Sequence, residues 1–242
     1  MIATIRRKSK STEDKPVPRP APELIDMKNG SRTASSVVAD GIRSEILHQK
    51  LKGGDRLRQD AWAVRFGVSQ MVVREAFKQL VSEGFLRNEP RRGVSVASMN
   101  ANEAWEMTQL RSLIECQALR WAMPNITLID IGRIEKILLQ LDKSKTVDKR
   151  IALNAEFHEL LYLPCHKERT LNLIAMLRVN FERYLRFTWE ETHHFEQSQK
   201  EHYEILENVR KGNTEKATDL LREHILGTGH LLVGSLENNP RL

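Results

Sequence analysis

Between residues 35 and 49, apolar side chains fall at Val37, Val38, Ile42, Ile46 and Leu47. That spacing puts them on one face of an amphipathic helix. The run breaks at Leu51-Lys52-Gly53-Gly54-Asp55. A second helical stretch covers Gln59–Phe66, with Ala61, Trp62, Val64 and Phe66 partly inward, and Gly67 ends it. Ser69 is an N-cap residue type, so a third helix is expected over residues 70–83, stopped by Gly84. The period then changes. Phe85–Asn88 and Val94–Ala97 are short β-prone pieces joined by Glu89-Pro90-Arg91-Arg92-Gly93, a turn with two adjacent arginines. Three helices followed by a hairpin with a basic tip form the pattern of a winged helix-turn-helix.

Residues 100–235 show no strand pattern. Apolar positions such as Ile131, Ile134, Leu138 and Leu141 keep the helical period. Six helices are expected near 100–122, 127–143, 148–163, 167–190, 194–211 and 214–233, punctuated by Pro124-Asn125, Lys143–Thr146, Pro164, Thr192 and Gly212-Asn213. Loops this short make neighbouring helices antiparallel. The fold class is therefore mainly α: a winged helix-turn-helix over 34–98, then an all-α antiparallel bundle over 99–235. A basic, Pro-rich tail at 1–33 is expected to be disordered, because it holds four of the eight prolines and few large apolar residues. Residues 236–242 form a short C-terminal tail.

Charge sharpens this division. Residues 1–33 carry eight Lys/Arg against four Asp/Glu, residues 34–98 eleven against seven, and residues 99–242 nineteen against twenty-one. All of the net +6 thus arises in the first two-fifths of the chain, which points to a polyanion partner at that end. No apolar run approaches the roughly 18 residues of a membrane span. The basic start lacks an apolar signal-peptide centre, so a cytoplasmic location is expected. With Cys116 and Cys165 as its two cysteines, the chain has no disulfide framework, and both are expected as buried thiols.

In a helix-turn-helix the second helix enters the major groove and its first residues meet base edges. Here those residues are Ser69, Gln70, Met71, Val72 and Arg74. Gln pairs with adenine through its amide, Arg with guanine, and apolar groups meet the thymine methyl. An exposed Met71 and Val72 then have a purpose. Ser69 both caps the helix and reaches a phosphate. Arg91 and Arg92 at the wing tip, with Gly93 allowing close backbone approach, suit the minor groove or the phosphate backbone. The opposing reading makes Met71 and Val72 core residues and the arginines merely solvated.

Residues 35–96 resemble the DNA-binding domain of the GntR family of bacterial transcription regulators. The resemblance rests on Gly54-Asp55-Arg56-Leu57, Gly67-Val68-Ser69, Val73-Arg74-Glu75-Ala76, Glu83-Gly84 and Arg92-Gly93. Family members often read Ser-Arg-Thr-Pro-Val-Arg-Glu-Ala where this chain has Ser69-Gln70-Met71-Val72-Val73-Arg74-Glu75-Ala76, so an arginine is replaced by Gln70. Arg58-Gln59 stands where Asn-Glu is common, and Arg58 joins the expected DNA contacts. Glu75 is expected to support Arg74.

The second half resembles the FCD-type effector domain of the FadR subfamily, through Leu110–Glu115, Asn154–His158, Glu201–Leu206 and Leu221–His224. The resemblance implies a divalent metal, Zn²⁺ or Ni²⁺, held by Asn154, His158, His202 and His224. Asn154 and His158, four apart, share one helix face. His202 and His224 lie beside inward apolar positions of their helices. Three imidazoles and an oxygen ligand suit a divalent transition metal. The family's Asp is replaced by Asn154, a weaker ligand. His166, His193 and His194 are rival candidates. Arg111 is the expected partner of an effector carboxylate, or else simply pairs with Glu115.

The implied function is a homodimeric transcription regulator on a near-palindromic double-stranded operator, controlled by a small organic acid in the bundle. Two alternatives compete: a regulator that senses the metal itself, and a metal-dependent hydrolase with Glu156, Glu159 or Glu201 as base. The hydrolase reading leaves the winged domain unexplained.

Overall fold

The computed structural model describes residues 33–91, 93–191 and 194–238. Of the expected tails at 1–33 and 236–242, residues 1–32 and 239–242 lie outside the described residues, as do Arg92, Thr192 and His193. Thr33 instead caps the first helix, and residues 236–238 continue the last one, where Leu236 is buried. The chain opens with α1 (Ala34–Leu47), where the Thr33 hydroxyl accepts from the Ser36 N–H at 3.2 Å. This satisfies one of the otherwise orphaned first-turn donors. Then come β1 (Arg56–Leu57), α2 (Gln59–Phe66), α3 (Gln70–Ser82), β2 (Leu86–Glu89) and β3 (Gly93–Val96). Gly67 closes α2 with φ 65°, a left-handed value that favours glycine.

The sheet runs β1-β3-β2, antiparallel throughout, with Leu86 opposite Val96 and Glu89 opposite Gly93. The first strand was not expected from the sequence. Two residues are too few for any alternation to show. Arg56–Leu57 becomes a strand because β3 offers a free edge, and pairing there buries Leu57. Val64 also departs from expectation. It is 85% exposed, because α2 turns Trp62 and Ala63 inward instead.

The head has its own core: α1 contributes Val38 and Ile42, α3 contributes Val73, Phe77 and Leu80, and Phe85 and Val96 close it. Each such burial stabilises by roughly 1.5–3 kcal/mol. At the head surface Arg43 is paired with Glu83 and Asp40, and Arg65 with Glu45.

Six helices follow: α4 (Ala101–Ala122), α5 (Leu128–Asp142), α6 (Val147–Tyr162), α7 (Glu168–Glu191), α8 (Phe195–Arg210) and α9 (Thr214–Asn238). They stand where the hydrophobic period placed them. The start of α5 is fixed by a capping box in which Thr127 and Asp130 satisfy each other's backbone. Leu119, Ile134, Leu138, Leu141, Phe157, Leu161 and Ile205 are buried together at the centre of the bundle. Helices α4 and α9 pass closely at Gly229, where an added Cβ would lie 2.3 Å from the Thr108 methyl.

Helix α7 joins the two parts. Val179 packs against the head core, and Arg183 donates to the carbonyl of Ala97 at 2.9 Å. Asp148 on α6 accepts from Arg186 at 2.6 Å and lies 3.3 Å from His48 of the head.

Candidate nucleic-acid interface and metal centre

Helix α3 buries Val73, Ala76, Phe77 and Leu80 on one side. That choice of face forces Gln70, Met71, Arg74 and Lys78 outward. The Ser69 hydroxyl accepts from the Val72 N–H at 3.4 Å, so Ser69 is the N-cap. Met71 is 64% exposed in a head whose other large apolar side chains are mostly buried. Arg74 is exposed and has no ion pair or hydrogen bond among the described residues. Glu75, expected to support it, instead pairs with Lys78 at 3.0 Å, because three residues along a helix face bring those two together. Val72 is half-buried and packs against the head core, so it is less available than Met71.

Arg58 precedes α2 and its guanidinium donates to Asp60 at 2.7 Å. That hydrogen bond holds the Asp60 carboxyl down to about 2. At the wing tip Arg91 has φ 63° and Gly93 φ 89°. Nothing lies within 4 Å of the Cβ direction of Gly93, so its backbone is open to approach, and its positive φ is the reason for glycine. Ser69, Gln70, Met71, Arg74 and Arg91 are all exposed.

In the bundle α6, α8 and α9 each deliver one imidazole to one place. His158, His202 and His224 offer ligand atoms that all lie within 4.8 Å of one another. All three residues are buried, and their ring centroids are 5.4, 5.4 and 4.7 Å apart. Each ring is fixed through Nδ1. Tyr162 donates its hydroxyl to Glu115 at 2.8 Å, so its oxygen accepts from Nδ1–H of His158 at 3.0 Å. The Gln199 amide nitrogen donates to Leu138 and Asp142, which leaves Oε1 to accept from Nδ1–H of His202 at 3.1 Å. The Glu201 carboxylate accepts from Nδ1–H of His224 at 2.8 Å. Tyr162 and Gln199 thus place the proton of His158 and His202 on Nδ1, which leaves the Nε2 of each neutral ring as a lone pair.

Burial holds His158 and His202 well below the ordinary imidazole range, and the nearby Arg178 and the neighbouring imidazoles reinforce this. Burial opposes ionisation of Glu201, but hydrogen bonds from His224 and Gln197 outweigh it and keep its carboxyl below the usual range. Nε2 of His202 is buried without a hydrogen-bond partner. A buried nitrogen with no partner is costly, and the three imidazoles offer ligand atoms close enough to share one ion. The donor set therefore fits a cation that accepts all three.

Asn154 sits beside this chamber, on the same helix as His158, and also lines a larger cleft of about 340 Å³ between α6 and α7. Arg111 lines both as well. It donates to Glu115 at 2.7 Å and lies over the Phe181 ring, so its charge is already engaged. Arg178 escaped the sequence reading. It reaches the cleft from α7, donates to Glu115 at 3.2 Å, and has a buried Nε without a partner. Two guanidiniums thus share one carboxylate. No local motif marks Arg178; only the packing of α7 against α4 and α6 reveals it.

Of the rival histidines, His166 is exposed in a left-handed turn after Pro164. His194 is half-buried at the start of α8, and its Nε2 lacks a partner. It stands outside the three-histidine cluster.

A winged helix-turn-helix with a free cationic recognition face, followed by a helical bundle, defines a DNA-binding regulator. Comparison with known proteins agrees. Residues 34–96 match the bacterial regulatory proteins of the gntR family, and residues 106–227 match the FCD domain. The HTH-type transcriptional regulator YdhC of Bacillus subtilis (strain 168) is 30% identical over 191 residues, covering 76% of this chain and 83% of that protein. A GntR family regulator from Pseudomonas syringae pv. tomato str. DC3000 shares 30% identity, with a TM-score of 0.53 over 85% of this chain and 88% of that one. Escherichia coli McbR/YncC, 21% identical, has the same fold, with a TM-score of 0.71 over 85% of this chain and 99% of that one. The chain belongs to the GntR family of bacterial transcription regulators, with an FCD domain behind its DNA-binding head. It is a regulator and not an enzyme. Among the described residues, no helix is long and apolar enough to cross a membrane.

Proposed function

We propose that this regulator binds a divalent transition metal in the histidine chamber and a small organic acid beside it, and that the acid sets its affinity for operator DNA. The observation that carries this reading is the trio of Nδ1-tethered imidazoles whose ligand atoms all lie within 4.8 Å of one another. His158, His202 and His224 would hold the metal, with Asn154 as a weaker oxygen ligand. Zn²⁺ and Ni²⁺ both accept imidazole nitrogen. The bound metal supplies a Lewis-acidic point for a carboxylate. Arg178, Arg111 and Tyr162 then orient the acid from the cleft wall.

The head acts on double-stranded DNA in the cytoplasm. Gln70, Met71 and Arg74 read bases, with a smaller contribution from Val72. Ser69, Arg58, Arg91, Arg92 and Gly93 position the phosphate backbone. A homodimer is supported by α4, where exposed Leu110, Leu113 and Trp121 fall on one helix face. Two heads then require two half-sites, and so a near-palindromic operator.

Selection of duplexes from a random pool by the full-length protein tests this. The reading expects paired half-sites and an affinity that falls steeply with salt. Native mass spectrometry of the same preparation should show a dimer carrying metal and acid. Arg178→Gln should lose the acid and keep the metal. A monomer that selects unpaired sites, or an acid retained equally by Arg178→Gln, contradicts it.

A further inference from the structure

A second cleft lies where the head meets the bundle. It measures about 260 Å³ and is walled by Leu47, Leu51 and Lys52 of the head, Ala97 of the linker, and Arg183 and Arg186 of α7. On the scale of benzene filling a cavity of about 150 Å³, it has room for about ten non-hydrogen atoms. Its two arginines are unusual. Arg183 is 8% exposed, and its guanidinium meets the carbonyls of Ala97 and Ser98 and the Tyr184 hydroxyl. Among the described residues no carboxylate lies within ion-pair distance of it. Arg186 is 7% exposed. It pairs with Asp148 at 2.6 Å and with Glu182 at 3.5 Å, yet its Nε is buried without a partner. Lys52 adds an exposed positive charge at the rim.

A buried guanidinium facing only neutral acceptors keeps an uncompensated charge, which is costly in a low-dielectric setting. The remaining wall is mostly apolar, with Gln49 as its one uncharged polar side chain. We infer that this junction cleft binds a small amphiphilic anion: a monocarboxylate with a short apolar body. The carboxylate meets Arg183 and the free Nε of Arg186, and the hydrocarbon lies along Leu47 and Leu51. Such a ligand touches the head, the linker and α7 at once. It therefore favours the arrangement of head and bundle in which those walls come together. This site shares no residue with the histidine chamber or its cleft, so it stands or falls independently of the metal reading.

Octanoate, with ten non-hydrogen atoms, is the probe. Isothermal titration into the full-length protein should show saturable binding, with octan-1-ol at least about tenfold weaker for want of charge. Ala97→Leu fills the cleft and should weaken octanoate binding about tenfold or more. Lys52→Glu, at an exposed position that leaves the fold intact, should weaken it about threefold to tenfold. His202→Ala should leave this binding event unchanged. No saturable binding below about 10 mM overturns the inference. So does equal binding of octan-1-ol, binding that survives both Ala97→Leu and Lys52→Glu, or binding lost in His202→Ala, which would place the anion in the bundle chamber.

Discussion

Arg74 projects from the recognition helix into solvent, while the apolar residues beside it in sequence, Val73 and Ala76, are fully buried. Because it holds nothing in its own protein, Arg74→Ala should leave the melting temperature within about 1 °C of wild type, the norm for surface substitutions within ±0.5 kcal/mol. Operator binding should weaken by about 1–3 kcal/mol, the worth of one bidentate base contact. Anisotropy titration against selected DNA reads this, and an unchanged affinity would remove Arg74 from the reading face. Cys116 illustrates the opposite environment. It is 3% exposed, and burial pushes its thiol up to about 11. At pH 8 only about one molecule in a thousand then carries a thiolate. A disulfide reagent should leave Cys116 unlabelled in the folded protein at pH 8, with reactivity rising only as pH nears the thiol's own value. Rapid labelling at pH 8 would mean that α4 and α9 separate in solution.

At the scale of elements, much was legible and the failures share a cause. The bundle helices follow from a 3.6-residue apolar period sustained over four to seven turns, as in Ile131, Ile134, Leu138 and Leu141. The periodic signal is strong because each helix buries one long stripe. The recognition helix was equally legible, since Ser69 as cap and Gly84 as stop bracket it. What the sequence hid was set by distant partners. The strand Arg56–Leu57 exists through pairing with β3 nearly forty residues on. Val64 faces solvent because α2 rotates to seat Trp62. Arg178 joins the candidate site only because α7 lies against α4 and α6. The histidines were found through motif resemblance, but their tethering by Tyr162, Gln199 and Glu201 could not be read from spacing alone. The close crossing of α4 and α9 is likewise a tertiary fact. Gly229→Ala would drive a methyl into Thr108, so it should destabilise the protein by about 1–3 kcal/mol, measured by urea unfolding. A neutral effect would show that the two helices separate at little cost.

At the scale of the whole molecule, α7 is the element common to every part. It presents Arg178 and Glu182 to the bundle cleft, Val179 to the head core, and Arg183 to the linker carbonyls. A ligand that shifts α7 relative to α4 thus acts on the seat of the DNA-binding head without a long relay. The proposed control of DNA binding by an acid requires that the bundle chamber hold a cation beside it. X-ray absorption at the metal edge of protein loaded with one equivalent of Zn²⁺ examines that chamber directly. The account predicts about three imidazole nitrogens near 2.0–2.1 Å with light oxygen donors completing the shell, and loss of that spectrum in His202→Ala. A sulfur shell, or a spectrum unchanged in His202→Ala, would contradict it.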